Sequence, residues 1–210
     1  TFTLMKPGHV LGEGAAYSGE VTVWEIGIPK KLLAKMYCPA QTMEEEFLRE
    51  ALPRRKADGH KGTFGKVLVI GGAVGYTGAP CLTAAAAVRS GCGLVSLGVP
   101  ESIYAIEAVK LNEPVVFPLP DKDGKLSADA IPEIQERLAK IDAVLIGPGI
   151  GQSENTFEVV KAVLESAVCP VVLDADGINV IAAHKDILRG RNHPTILTPH
   201  DGEFARLAGP

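Results

Sequence analysis

The chain has 210 residues, 46% of them hydrophobic and 22% charged, a balance that describes a soluble globular protein with a substantial core. Its formal net charge of −4 gives no reason to expect nucleic acid or a membrane surface as partner, and no apolar run approaches the roughly 20 residues that span a bilayer. The first residues, Thr-Phe-Thr-Leu-Met-Lys, lack the layout of a secretory signal. Cys38, Cys81, Cys92 and Cys169 are scattered without C-x-x-C spacing, and read as small buried hydrophobes in a reducing, cytoplasmic compartment.

In chain order, residues 1–60 show no strand–helix rhythm. Gly19–Pro29 predicts one strand closing in Gly-Ile-Pro. A charged, weakly apolar stretch from Gln41 to Asp58, with Pro39 and Pro53 as breaks, reads as a linker with a short helix over Glu44–Leu52. Domain identity is therefore expected to change between Pro29 and Gly59. From Lys66 onward apolar runs alternate with helical patterns. Strands are predicted at Val67–Ile70, Leu94–Val99, Val115–Leu119, Ala143–Ile146, Val171–Asp174 and Thr195–Thr198. Helices are predicted at Ala79–Ser90, Ser102–Lys110, Ser127–Lys140, Glu154–Ala167, Gly177–Leu188 and Asp201–Leu207. The strands are short, rich in Val, Ile and Leu, and apolar on both faces. Their alternation with helices predicts an α/β fold, a mainly parallel sheet with helices on both faces.

The candidate functional residues lie at strand ends. Gly71 and Gly72 close the first strand of this series, and Gly75 and Gly78 lead into a helix opened by Ala79-Pro80, where proline costs little. The spacing is neither G-x-G-x-x-G nor a Walker A sequence. Gly147-Pro-Gly-Ile-Gly151 repeats the arrangement after another strand. Either loop suits an anionic ligand at a helix N-terminus or a plain tight turn. Asp174-Ala-Asp176 places two carboxylates at a strand end, where they suit Mg²⁺ or ligand hydroxyls; Asp176 equally suits a helix cap. His200, in Thr198-Pro-His-Asp-Gly-Glu203, stands at the sheet edge, able to donate or accept a hydrogen bond from a polar ligand. Lys61, in a glycine-containing loop before the first strand, reads as an approach to an anionic ligand or as an ordinary exposed lysine.

Taken in order, these segments resemble the ADP/ATP-dependent NAD(P)H-hydrate dehydratase family, which has a ribokinase-like fold. The similarity rests on Lys61-Gly-Thr-Phe-Gly65, Val69-Ile-Gly-Gly-Ala73, Tyr76-Thr-Gly-Ala-Pro80, Ala87-Val-Arg-Ser-Gly-Cys-Gly-Leu94, Ile146-Gly-Pro-Gly-Ile-Gly151, Val172-Leu-Asp-Ala-Asp-Gly177 and Leu197-Thr-Pro-His-Asp-Gly-Glu-Phe-Ala-Arg-Leu207. Ahead of them, Thr1-Phe-Thr-Leu4, Lys6-Pro-Gly8, Gly14-Ala-Ala-Tyr17, Gly19-Glu20 and Glu25-Ile-Gly-Ile-Pro29 are similar to the tail of an NAD(P)HX epimerase domain. The resemblance implies residues 1–40 as epimerase tail, 41–59 as linker and 60–210 as the N-terminal part of the dehydratase domain.

It also implies repair of hydrated nicotinamide nucleotides: ADP or ATP, with Mg²⁺, phosphorylates the hydroxyl of the (S)-hydrate, and phosphate then leaves where hydroxide would not. By resemblance Ala79, Gly151 and His200 contact the hydrate, and Gly149 and Asp174 shape its pocket. Lys61 is the candidate on the nucleotide side, Mg²⁺ is held chiefly by phosphates rather than by a protein metal site, and the epimerase part takes K⁺. Relatives imply a cytoplasmic homo-oligomer, a tetramer. The family's Asn…Gly-Thr-Gly-Asp segment, with its phosphate-binding turn and its expected catalytic aspartate, has no counterpart before Pro210. The epimerase's acidic catalytic residues are expected before Thr1. The sequence is thus expected to be an internal fragment, truncated at both ends. The rival readings are a ribokinase-like kinase of a small vitamin precursor and a non-catalytic nucleotide-binding remnant. The 210-residue chain alone is expected to give no ADP- or ATP-dependent regeneration of NADH from its hydrate; growth of the NADH absorbance in that assay would contradict the fragment reading.

Overall fold

The structure is a computed structural model and describes residues 1–37, 43, 45–52, 54, 55 and 57–209. Cys38, Pro39, Gln41, Glu44 and Pro53, on which parts of the linker and cysteine readings rest, lie outside the described residues. The chain forms two compact units, Thr1–Arg55 and Lys56–Pro210.

The first unit is made of short helices, α1 (Gly12–Ser18), α2 (Lys30–Leu33) and α3 (Glu45–Ala51), with a 3-10 turn at Pro7–His9. The range of α3 falls inside the helix expected over Glu44–Leu52. The strand expected over Gly19–Pro29 does not form. That segment makes only an isolated parallel bridge between Trp24 and Phe2, closed by Thr3 N donating to Trp24 O at 2.8 Å and Trp24 N to Thr1 O at 2.9 Å. An extended run becomes a strand by satisfying its backbone along a partner, and among the described residues this one has a partner at a single point. Phe2, Tyr17, Trp24 and Ile26 are exposed, so this unit has little core of its own.

In the second unit the apolar runs pair. Its strands are β1 (Lys66–Ile70), β2 (Leu94–Pro100), β3 (Val115–Leu119), the short β4 (Asp121–Lys122) and β5 (Lys125–Leu126), then β6 (Ala143–Ile146), β7 (Val171–Leu173) and β8 (Thr195–Leu197). The helices are α4 (Gly78–Arg89), α5 (Glu101–Lys110), α6 (Ile131–Leu138), α7 (Glu154–Ser166), α8 (Asp176–Ile181) and α9 (Asp201–Ala208). Six strands form one sheet in the order β3-β2-β1-β6-β7-β8, every pairing parallel, while β4 and β5 make a separate hairpin. The chain runs outward from β1 to β3, then returns to the other side of β1 as β6, where Val67 lies beside Ala143 and Ile70 beside Ile146. The order therefore reverses between β1 and β6, and open α/β sheets bind ligands at such a crevice.

Alternate side chains of the central strands fill two cores. Leu68, Ile70, Val144, Ile146, Val171 and Leu173 pack with Ile134, Val160 and Ile178 of α6, α7 and α8. Val69, Val95, Leu97 and Val99 pack with Ala84 of α4 and Ile103 of α5. Helices on both faces are thus as expected. The expectation that every strand is covered on both faces fails at the outer strands: Val115 and Pro118 of β3 and Ile196 of β8 are exposed, because the covering helices pack chiefly over the central strands. The helix expected over Ser127–Lys140 is a 3-10 turn, Ala128–Ala130, followed by α6; Ser127 Oγ accepts from Asp129 N at 3.3 Å and so diverts the first turn. The helix expected over Gly177–Leu188 is α8 followed by a 3-10 stretch. That stretch breaks at His184 (φ −129°), whose ring packs on Phe157 at 4.6 Å.

Arg191 ties three elements together. It donates to Thr195 Oγ1 at 2.8 Å and to Cys169 O at 3.0 Å, and also to Leu164 O, joining the end of α7 to the entries of β7 and β8. Burial lowers its guanidinium pKa, and the nearby Cys169 thiol, pushed up chiefly by burial, opposes that shift. Arg191→Met leaves two carbonyls without this donor and should cost about 2–3 kcal/mol in chemical denaturation.

The one buried acid without a hydrogen bond among the described residues is Glu107 of α5. It is 0% exposed, and its nearest cation, Lys110 Nζ, is 3.7 Å from Oε1. Burial raises its carboxyl above the ordinary value of 4.5 by more than Lys110 lowers it. The folded chain therefore holds this proton more tightly than the unfolded chain. The Glu107 contribution to stability is fully present below the ordinary value and is lost as pH rises through the raised one. The stability of the native chain relative to Glu107→Gln should accordingly fall as pH rises above the ordinary carboxyl value of 4.5; thermal melts showing a pH-independent difference would contradict this.

Candidate functional site

The crevice between β1 and β6 is walled by glycine because two backbones meet there. Gly72 (φ +85°) donates its N–H to Pro148 O at 2.9 Å, and a Cβ on Gly71 would stand 2.7 Å from the same oxygen. Gly147 (φ +128°) lies so close to the Asp174 carbonyl that no side chain fits, and its own N–H reaches Ile70 O at 3.1 Å. The loop from Gly147 to Gly151 is thus wedged between the ends of β1 and β7. At its crest, a Cβ on Gly149 (φ +67°) would lie 3.1 Å from the Tyr76 Cβ and 3.6 Å from the Ala79 Cβ. The two glycine loops therefore face each other, with Ala79 exposed at the first turn of α4 and Pro80 buried behind it.

Asp176 holds the second loop in place. Its carboxylate accepts from Gly151 N at 3.1 Å, Gln152 Nε2 at 2.9 Å and Asn179 Nδ2 at 3.2 Å. The alternative reading, that Asp176 caps a helix, does not hold: the N-cap of α8 is Ala175, and Asp176 sits in the first turn, where its charge favours the helix dipole. Ala175 has φ +50°, a conformation that side chains rarely adopt, so the backbone between the two aspartates is strained. Asp174 stands at the end of β7, where its Oδ1 accepts from Thr198 Oγ1 at 2.6 Å and links the ends of β7 and β8.

Thr198-Pro-His continues that edge. His200 is the N-cap of α9: its Nδ1 accepts from Gly202 N at 3.0 Å, and Glu203 returns the favour by accepting from His200 N at 3.0 Å. The ring's Nε2 lies 3.3 Å from Glu203 Oε1, and the side chain is 67% exposed. The expected acceptor role toward a ligand is therefore already used at Nδ1. His60, which carries no assigned role, makes the same cap on Gly62 N at 3.1 Å.

Lys61 is the nominated residue that the structure does not bring to this rim. It is exposed in the 3-10 turn Lys61–Phe64 that feeds the start of β1, whereas the glycine loops leave the other end of the strand, about 16 Å away at the usual rise per residue. Its expected approach to an anionic ligand here gains no support from that position.

Sequence reasoning missed the β4–β5 hairpin, which borders the crevice. Val74 N donates to Gly124 O at 2.8 Å, and Gly124 (φ +72°) leaves room for the Val74 side chain. Lys125 lies along Gly151, its Cε 3.0 Å from where a Cβ would be, with Nζ on Gln152 O at 3.2 Å. The signal for the turn is Asp123-Gly124, a tight-hairpin pair, between strands too short to show alternation. Also unanticipated is Lys110 Nζ, which donates to Thr77 Oγ1 at 2.6 Å and Thr77 O at 3.1 Å. Among the described residues no group of three or more His, Cys, Asp or Glu is arranged to hold a metal ion.

Comparison with known proteins agrees with this architecture. The chain is 43% identical over its full length to the bifunctional NAD(P)H-hydrate repair enzyme of Moorella thermoacetica, and spans about 40% of the length of that and other curated relatives it matches. A ribokinase-like superfamily protein of Enterococcus faecalis, 24% identical, superposes with a TM-score of 0.68 over 79% of this chain and 55% of that one, and gives the fold. The ADP/ATP-dependent NAD(P)H-hydrate dehydratase of Bacillus subtilis, co-crystallised with ATP and Mg²⁺, is 34% identical with a TM-score of 0.62 over 79% of this chain and 55% of its own. The family match itself runs through residues 67–210, from β1 past α9, and so this chain belongs to the NAD(P)H-hydrate dehydratase family.

Proposed function

We propose that residues 60–210 are part of a nucleotide-dependent dehydratase that restores NADH and NADPH from their hydrates. The observation that carries this reading is the meeting of the two glycine loops at the point where the strand order reverses. With Gly72 N on Pro148 O and Gly149 against Tyr76 and Ala79, the chain opens a small-residue wall on which a flat nicotinamide ring can lie. In this reading Ala79, Gly149 and Gly151 contact the hydrate, and Asp174 and His200 come from the ends of the neighbouring strands β7 and β8. In the reaction the hydrate's hydroxyl oxygen attacks the terminal phosphoryl group of ATP or ADP, the bond to the bridging oxygen breaks to release ADP or AMP, and the hydroxyl proton passes to solvent. The C–O bond then breaks with loss of phosphate and of a proton from the neighbouring carbon, which restores the ring double bond. In this reading Mg²⁺ is carried chiefly by the nucleotide phosphates.

Residues 1–40 fit the tail of an NAD(P)HX epimerase domain, a K⁺-dependent activity by resemblance. Support comes from relatives named as bifunctional repair enzymes that match along the whole chain. The exposed apolar Phe2, Trp24 and Ile26 suit a piece that belongs to a larger domain. A cytoplasmic homo-oligomer, a tetramer by resemblance, is consistent with the apolar Leu82 and Val109 on the outer faces of α4 and α5; no helix among the described residues is long and apolar enough to cross a membrane.

His200 separates a ligand-binding role from a capping one. Asparagine caps helices well, so His200→Asn should melt within a degree or two of the native chain, while His200→Ala should lose about 1 kcal/mol of stability. If the imidazole touches the hydrate, both variants should bind (S)-NADPH hydrate roughly tenfold more weakly by calorimetry. Native affinity in His200→Asn would show that the residue only caps α9.

A further inference from the structure

Glu107 is fully buried with both carboxylate oxygens lacking a hydrogen bond, an arrangement that costs stability unless something else is gained. Among the described residues its only close cation is Lys110, one turn on, at 3.7 Å. Lys110 does not turn fully to the acid. It reaches across to the β1–α4 loop and grips Thr77 twice, at Oγ1 (2.6 Å) and at O (3.1 Å). Thr77 is the N-cap residue of α4, yet its backbone is helical (φ −87°, ψ −7°) and its hydroxyl makes no cap bond, accepting instead from the Lys110 ammonium. The loop residues on either side of Thr77 are Tyr76, which abuts Gly149, and Gly78-Ala79, which open α4.

We propose that Glu107 and Lys110 are positioning residues that fix the Tyr76–Ala79 wall of the crevice, Glu107 acting through Lys110 and Lys110 through Thr77. Once ionised, Glu107 anchors one end of a flexible lysine, and two hydrogen bonds to Thr77 anchor the other. Holding the cation over the loop keeps the first turn of α4 from taking its ordinary capped form, in which the Thr77 hydroxyl would bond the backbone of its own helix. A wall set in this way is ready for its ligand before the ligand arrives. That the wall receives the hydrate rests on the function proposed above; the clamp itself does not.

The test is hydrogen exchange of the 210-residue chain over the peptide containing residues 74–79, read beside melting temperature and affinity for (S)-NADPH hydrate. Lys110→Met and Glu107→Leu should each speed exchange in that peptide roughly tenfold, the scale of losing a charge-assisted hydrogen bond. The double variant should be no faster than either single one, since one residue acts through the other. Lys110→Arg, which keeps charge and reach, should restore slow exchange. Glu107→Leu should at the same time melt no lower than the native chain, because an apolar side chain replaces a buried acid, so faster exchange cannot be ascribed to general loosening. Unchanged exchange in either single variant, or additive effects in the double one, would overturn the clamp. If exchange rises as expected and hydrate affinity falls with it, the clamp positions the ligand wall. If exchange rises and hydrate affinity holds, the clamp stands and the assignment of this wall to the hydrate falls.

Discussion

The approach of the Gly147–Gly151 backbone to the ends of β1 and β7 is the constraint on which the rest of the second unit depends. Gly72 N on Pro148 O, Gly147 N on Ile70 O and Asp174 N on Ile146 O stitch three strand ends with main-chain bonds alone. No Cβ fits at Gly147, and one on Gly71 would stand 2.7 Å from a carbonyl oxygen. Bringing backbones this close requires glycine, and it satisfies polar groups that a looser turn would leave to water. The short strands, their parallel order and the reversal between β1 and β6 all converge on this junction. The crest of one loop is thereby set against Tyr76 and Ala79 of the other.

Side chains then fix what the backbone begins. Asp176 spends its carboxylate on Gly151 and Gln152, Thr198 bridges to Asp174, and Lys110 crosses from α5 to Thr77. Each of these bonds joins elements distant in the chain, and each ends on a loop rather than inside a core. The apolar cores on the two faces of the sheet are continuous without them. Stability and loop geometry are thus carried by different residues, so loop geometry can be altered without emptying the core.

Much of this architecture is readable in the chain itself. Val67–Ile70, Ala143–Ile146 and their companions are apolar enough, and short enough, to be strands under helices, and each glycine group falls at a strand end as its position suggests. What escapes is what depends on a neighbour. Gly19–Pro29 has strand composition but meets a partner only at Trp24. Asp176 looks like a cap until its three donors are in view, one of them Gly151 N from a different loop. Asp123-Gly124 announces a tight turn, yet nothing local says that the hairpin leans on Val74 and carries Lys125 over Gly151. Lys61, in a glycine-containing loop, suits an anionic ligand as well as plain solvent; the turn that holds it feeds the start of β1, opposite the end from which the glycine loops leave.

The cap on α9 also decides which proton His200 carries. An Nδ1 that accepts from Gly202 N holds a lone pair, so the ring hydrogen of the neutral imidazole sits on Nε2, 3.3 Å from Glu203 Oε1. With one nitrogen occupied by its own helix and the other facing an acid, the ring is poorly placed to remove a proton from anything. What it has free is its broad side, largely open to solvent. The α9 cap thus leaves the imidazole offering its face to solvent rather than its nitrogens.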